Sequence, residues 1–318
     1  MTHSTEPNRR RFLQRTGQGA GIAAASLSLG APFVLADKPN SDDATTPWLR
    51  KTLKIGMIRT KGSLTERFKL AKAAGFEGVE LHAPNIKVDE AKEAAAASGL
   101  IIDGTVGGYH WGTRHTDPDP EVRAKALTLL KQGLENTAAV GGESMLLVPG
   151  HGKDGTDDEV YERAVQAIKA ALPVAEKHNV AILIENVWND FCYDHEGGDD
   201  QTADRLAAFI DEFDTPLVGV QFDIGNHWKY GDPAAWIRTL GDRVQKLDIK
   251  GYSRAKQSWA DITEGDIDWP EVEEALHDID FTGWLAAEVG GGDLERLKTI
   301  SSQLEAALHC SKSIASVS

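Results

Sequence analysis

The chain has 318 residues, 41% hydrophobic and 26% charged, a globular composition that excludes a disordered or fibrous protein and leaves room for a sizeable core. Thirty-four Lys and Arg against 49 Asp and Glu give a net charge of -15, which argues against broad attraction to nucleic acid or to an anionic membrane surface. The expected partner is a small molecule that is neutral, cationic or held through a metal.

The first 36 residues stand apart from the rest. Asn8-Arg9-Arg10-Arg11-Phe12-Leu13-Gln14 resembles the twin-arginine export motif, an Ala/Gly-rich apolar stretch runs from Gly17 to Leu29, and Val34-Leu35-Ala36 offers a small-residue cleavage site. Residues 1–36 are therefore read as an export signal and 37–51 as a polar linker, with the mature protein periplasmic or secreted. Removing this signal takes away four Arg and one Glu and deepens the charge from -15 to -18, so the acidity belongs to the folded part. No later stretch reaches the roughly 18 to 20 apolar residues of a membrane span. Two cysteines, Cys192 and Cys310, are too few for a disulfide framework or a zinc cluster, and one bridge between them is left open.

Beyond the linker, short apolar runs alternate with longer patterns of three- and four-residue spacing. The strands are expected at Lys54–Ile58, Gly78–Leu81, Ile101–Thr105, Ser144–Val148, Ala181–Glu185, Val218–Asp223, Val244–Asp248 and Trp284–Glu288. Helices are expected between them, at Ser63–Ala74, Lys87–Ser98, Pro120–Val140, Asp157–His178, Thr202–Phe213, Pro233–Leu240, Trp269–Ile279 and Asp293–Lys312. Asp119-Pro120 and Asp232-Pro233 each put a capping carboxylate before a proline suited to the first helical position. Eight strand-helix pairs in about 260 residues predict an α/β fold, a single-domain (β/α)8 TIM barrel over residues 52–312, with 313–318 as a tail. Ile58-Arg59-Thr60-Lys61-Gly62-Ser63 lacks the Gly-x-Gly-x-x-Gly turn of a dinucleotide-binding fold.

In such a barrel the active site lies where the strands end. The fifth to eighth expected strands each end in a carboxylate: Glu185, Asp223, Asp248 and Glu288. One strand-end carboxylate is most simply a turn cap or half of a surface ion pair. Four converging on one volume repel each other unless a cation neutralises them, and a bound divalent metal is the simplest such cation. Oxygen-rich ligation favours Mn²⁺ or Mg²⁺, while the nearby His227 keeps Co²⁺ or Zn²⁺ open.

Ile182-Leu183-Ile184-Glu185-Asn186, Phe222-Asp223-Ile224-Gly225-Asn226-His227 and Ala287-Glu288 resemble the xylose isomerase-like barrel superfamily of sugar isomerases and epimerases, over about residues 52 to 312. The resemblance implies one metal held by a Glu after the fifth strand, an Asp after the sixth, a His after the seventh and a Glu after the eighth. Glu185, Asp223 and Glu288 match; the usual His-x-Lys-Asp of the seventh strand is instead Asp248-Ile249-Lys250-Gly251. Asp248 is the favoured replacement ligand, with Gln245 or ligation by three carboxylates as alternatives. The related endonuclease branch is not supported, because Leu146-Leu147-Val148-Pro149-Gly150-His151 offers no Glu after the fourth strand.

The resemblance further implies an enediolate mechanism in which Glu185 and Glu288 take and return the proton beside a carbonyl. Substrate contacts are expected from His110 and Trp111 after the third strand, His151 after the fourth, His227 after Asp223, Lys250 and Glu80. For Lys250 an ion pair with a carboxylate is an equally good reading, and for Glu80 a capping role. Gly290-Gly291-Gly292 precedes a helix that opens with Asp293 and Glu295, a poor phosphate site, so a non-phosphorylated sugar or keto-sugar is expected. A keto-sugar lyase or dehydratase on the same scaffold and a non-catalytic sugar-binding barrel are the alternatives, and a homo-oligomer is compatible with either.

Overall fold

The computed structural model describes residues 47–312; the twin-arginine motif, its cleavage site and the 313–318 tail lie outside the described residues. Eight parallel strands form the barrel: β1 Leu49–Leu53, β2 Gly78–Ala83, β3 Ile101–Gly107, β4 Ser144–Leu147, β5 Ala181–Glu185, β6 Val218–Asp223, β7 Val244–Ile249 and β10 Gly283–Ala287. Each pairs with its neighbour in the sequence β1-β10-β7-β6-β5-β4-β3-β2. At the seam the Glu77 N–H donates to the Lys51 carbonyl at 2.8 Å and Lys54 bridges to Glu80, so the barrel is nearly closed. A short antiparallel hairpin, β8 Gly251–Ser253 and β9 Ser258–Ala260, stands outside the barrel sheet.

The helices between the strands are α1 Leu64–Ala73, α2 Val88–Ser98, α3 Pro120–Ala139, α4 Asp157–His178, α5 Asp204–Asp211, α6 Ile224–Trp228, α7 Pro233–Leu240, α8 Trp269–Asp278 and α9 Leu294–Leu308. Their starts follow from local chemistry. Ser63 with Glu66 and Thr156 with Glu159 close reciprocal capping boxes, and Asp119 and Asp232 cap helices whose first residue is proline. A side-chain cap of this kind stabilises by about 1 kcal/mol. The central strands β4, β5 and β6 are buried along their whole length, which is why they read as nearly continuous apolar runs.

The first strand is corrected. Lys54–Ile58 is more apolar than its flank, yet Ile55–Met57 forms a 3-10 turn that buries Ile55 and Met57, and the strand is the preceding Leu49–Leu53, paired from Leu49↔Gly283 to Leu53↔Ala287. The barrel therefore begins inside the stretch read as linker. Cys192 and Cys310 are both buried and unbridged. Among the described residues no helix is long and apolar enough to cross a membrane.

The inside of the barrel is not purely apolar. Thr52, Glu80, Asp103, Gln221 and Lys246 are all buried within it. Lys246 Nζ donates to Glu80 at 2.8 Å and to Asp103, whose other oxygen accepts from the Thr52 hydroxyl at 2.5 Å. Glycine makes the space: a Cβ at Gly78 would come within 2.6 Å of Asp103 Oδ1, and one at Gly104 within 2.7 Å of the Ser144 carbonyl.

Candidate active site

Period two in the strands places Gln221 on the face of Asp223, and Lys246 on the face of Asp248, one layer below. Glu185 ends β5, Asp223 ends β6, Asp248 is next to last in β7, and Glu288 follows β10. Each offers one oxygen, and these four oxygens lie within 4.8 Å of one another, a spacing that could hold a metal ion. Asp223 is held rigidly: its N–H donates to the Asn186 amide oxygen at 2.7 Å, and its own Oδ1 accepts from the Asn226 N–H at 2.6 Å, capping α6.

Two ammonium groups already lie in this cluster. Lys54 Nζ donates to both oxygens of Asp248, at 3.0 and 2.9 Å, and to Glu80 at 3.2 Å. Gln221 Nε2 donates to Asp248 Oδ1 at 2.8 Å. Lys250 Nζ lies 2.8 Å from Asp223 Oδ2 and 2.6 Å from Glu288 Oε2. Burial, with Glu288 and Asp248 as like charges, pushes the Glu185 carboxyl well above the usual carboxylate range. Burial also raises Asp223 to about 6 and Asp248 to about 7, against Lys250 and Lys54 respectively. For Glu288 burial works upward as well, but Lys54 and Lys250 outweigh it and hold the carboxyl below its usual value. As arranged, the donor set does not fit a resident divalent ion ligated by all four carboxylates: Asp248 has both oxygens engaged, and an ammonium joins Asp223 to Glu288.

Above the cluster opens a cleft of about 550 Å³ whose lining includes Lys54, His82, Tyr109, His110, Trp111 and Glu288. His110 and Trp111 are both among these lining residues. His110 is buried, its Nδ1 accepts from the Val148 N–H at 3.2 Å, and burial lowers it to about 3, so its ring is neutral at pH 7. Trp111 is 56% exposed and meets the His110 ring edge-on at 5.3 Å. Trp188 of the β5–α5 loop stacks on Trp259 of the hairpin at 4.9 Å, with Lys250 Nζ 5.2 Å from the Trp259 ring.

Other expected contacts lie elsewhere. Glu80 is 1% exposed and bound by Lys54, Lys246 and Gln221, a buried counter-ion beneath the cluster. His151 caps the 152–154 turn, its Nδ1 accepting from the Lys153 N–H at 3.2 Å, and is not among the cleft-lining residues. Gln245 is ruled out as a ligand: three residues before Asp248, about 10 Å back along the strand and on the other face, it donates to the Pro216 carbonyl at 2.8 Å. Lys54 and Gln221 at the cluster were not expected from the sequence. The signal for Gln221 was there, as a polar residue two before a strand-end carboxylate.

His227 is 1% exposed and packs among Trp236, Tyr193 and Tyr230, at ring distances of 4.4, 4.8 and 5.9 Å, with its Nδ1 unpartnered. It is a packing residue. Burial lowers it to about 3, so in acid the unfolded chain binds a proton that the folded one refuses, and stability falls as pH drops below about 6.5. His227→Phe is expected to abolish that penalty, making its stability gain over wild type about 2 kcal/mol larger at pH 5 than at pH 7 in urea unfolding.

Solved structures resemble this fold closely. A D-tagatose 3-epimerase-like protein aligns with a TM-score of 0.66 at 18% identity, covering 81% of this chain and 98% of its own. L-ribulose 3-epimerase aligns at 0.68 and 16%, covering 83% and 95%. A 3-keto-D-glucoside 4-epimerase from E. coli aligns at 0.66 and 16%, covering 82% and 99%. At such identities the likeness is one of fold. A curated relative, the uncharacterized protein MJ1311 of Methanocaldococcus jannaschii, is 23% identical over 176 residues, and the match spans 52% of this chain and 57% of that protein. Residues 68–309, most of the barrel, match the Xylose isomerase-like TIM barrel family, and the chain belongs to it.

Proposed function

We propose that the protein is an isomerase or epimerase of a non-phosphorylated sugar or keto-sugar, moving a proton at a carbon beside a carbonyl. The observation that carries this reading is the grouping of Glu185 and Glu288 with Asp223 and Asp248 at the strand ends, with Glu288 opening onto an aromatic-walled cleft. The epimerase names of the structural neighbours support the same reaction class.

One carboxylate takes the carbon-bound proton, the C–H electron pair becomes the C=C bond of an enediolate, and the carbonyl oxygen takes up the negative charge. The other carboxyl returns a proton to carbon, on the opposite face in an epimerisation. Lys250, joined to Glu288, is the protein's own cation beside that oxygen. Trp111 offers a face for the sugar's C–H groups, and neutral His110 a hydrogen bond to a hydroxyl. The helix after Gly290-Gly291-Gly292 has Asp293 bonded to the Arg296 N–H at 3.1 Å, leaving a carboxylate where a phosphate would sit. The Asn8–Gln14 motif supports placing this activity outside the cytoplasm, after export by the twin-arginine route.

The test is proton NMR of free ketoses, aldoses and keto-glycosides incubated with the protein in D₂O. Deuterium gained at one carbon beside the carbonyl, with conversion to an isomer or epimer, is the expected result. Net loss of water identifies a dehydratase, and no exchange with any class defeats the reading.

A further inference from the structure

We infer that Lys54 and Lys250 serve as the counter-ions of this carboxylate cluster, so that the site works on two ammonium groups and holds no resident metal. The resemblance of the seventh strand implies a neutral imidazole at the position of Asp248, and the carboxylate found there adds one negative charge. Lys54 answers that charge directly, gripping both Asp248 oxygens at 2.9 and 3.0 Å while Gln221 takes a third bond at 2.8 Å. Asp248 is thereby a partner of Lys54 rather than a free ligand.

The remaining three carboxylates are Glu185, Asp223 and Glu288. Lys250 sits between two of them, at 2.8 and 2.6 Å, where a shared cation would sit. A dication drawn to those same oxygens meets the Lys250 ammonium at close range, and like charges there repel strongly. Lys54 offsets the charge that Asp248 adds, and Lys250 stands among the other three carboxylates as a single positive charge. An ammonium differs from a divalent ion in chemistry: it offers hydrogen-bond donors instead of a Lewis-acid centre, so the oxygen of the enediolate is met by N–H groups of Lys250. Neither lysine is free to wander, because Lys54 is also bonded to Glu80 at 3.2 Å and Lys250 lies 3.3 Å from the Asn226 amide oxygen.

The inference rests on the reading of this site as one for proton transfer, and metal binding is measured without any sugar, so the two fail separately. Plasma mass spectrometry of the purified full chain and titration with Mn²⁺, followed by the electron paramagnetic resonance of the free ion, are run on wild type, on Lys250→Met and on the double variant Lys54→Met with Asp248→His. The wild type is expected to hold well under one equivalent of any divalent metal and to bind Mn²⁺ weakly. Lys250→Met is expected to bind Mn²⁺ tighter by about a hundredfold or more, since the ammonium that repels the ion is gone, whereas the double variant, which keeps Lys250, is expected to gain much less. One equivalent of metal in the wild type that survives dialysis overturns the inference, as does a folded Lys250→Met that binds Mn²⁺ no better than wild type. The wild-type measurement decides even where a variant fails to fold.

Discussion

Glu185→Gln and Glu288→Gln are each expected to slow deuterium incorporation into the sugar by about 10²- to 10⁴-fold, the usual contribution of a positioned acid or base. Glutamine keeps the shape and volume of glutamate but takes no proton from carbon. The loss should therefore appear in the exchange rate without loss of the fold. Stability gives an independent check. Glu185 is crowded by Glu288 and Asp248, and burial and those like charges push its carboxyl well up. Glutamine never carries the buried charge that this site disfavours, so Glu185→Gln should melt at the wild-type temperature or higher. Wild-type exchange in both variants would remove these residues from the proton-transfer role. Loss of exchange together with a collapsed melting temperature would mark a structural effect instead.

Lys246→Met is expected to destabilise the barrel by about 3–5 kcal/mol, the usual result of removing one partner from a buried ion pair. Lys246 is 1% exposed and serves two carboxylates, Glu80 and Asp103. Burial opposes ionisation of Glu80, yet Lys246 and Lys54 outweigh it and hold that carboxyl down at about 2. Asp103 moves the other way: burial raises it despite Lys246. Lys246, helped by Lys54, thus holds the Glu80 carboxyl down, while Lys246 alone does not offset the burial of Asp103. Methionine fills the space but leaves Asp103 with only its neutral Thr52 partner, and Glu80 with Lys54 and Gln221. Adding Asp103→Asn to Lys246→Met should recover part of the loss. Urea unfolding measures both, and a loss below about 1 kcal/mol for Lys246→Met, a surface-pair value, would contradict the network.

Much of the barrel was legible because its strands and helices obey different periods. β5, β6, α4 and α7 match their expected bounds, since buried runs, capping residues and proline mark them sharply. β1 was not legible: Leu49-Arg50-Lys51-Thr52-Leu53 is polar at three of five positions and its first three residues read as linker, and its pairing with β10 is a long-range fact. The hairpin of β8 and β9, three residues a strand, and α6, little more than one turn, are too short to leave a period. At the site, the four carboxylates stood out because they end consecutive strands. Lys54 and Lys246 did not, because lysine in a strand reads as solvent-facing until the partners that allow its burial are known. Asp248 illustrates both halves of this: its position was legible from its own strand, and its engagement by Lys54 of β1's flank was not.

The stacking of Trp188 on Trp259, close to Lys250, gives the protein a built-in optical signal. Two indoles 4.9 Å apart share their excited states, so their near-ultraviolet circular dichroism depends on the angle between them. A sugar that shifts the exposed Trp259 on its hairpin changes that angle, while buried tryptophans such as Trp48 before β1 and Trp236 of α7 stay as they were. Occupancy of the site would then be readable on the unlabelled protein, before any product forms.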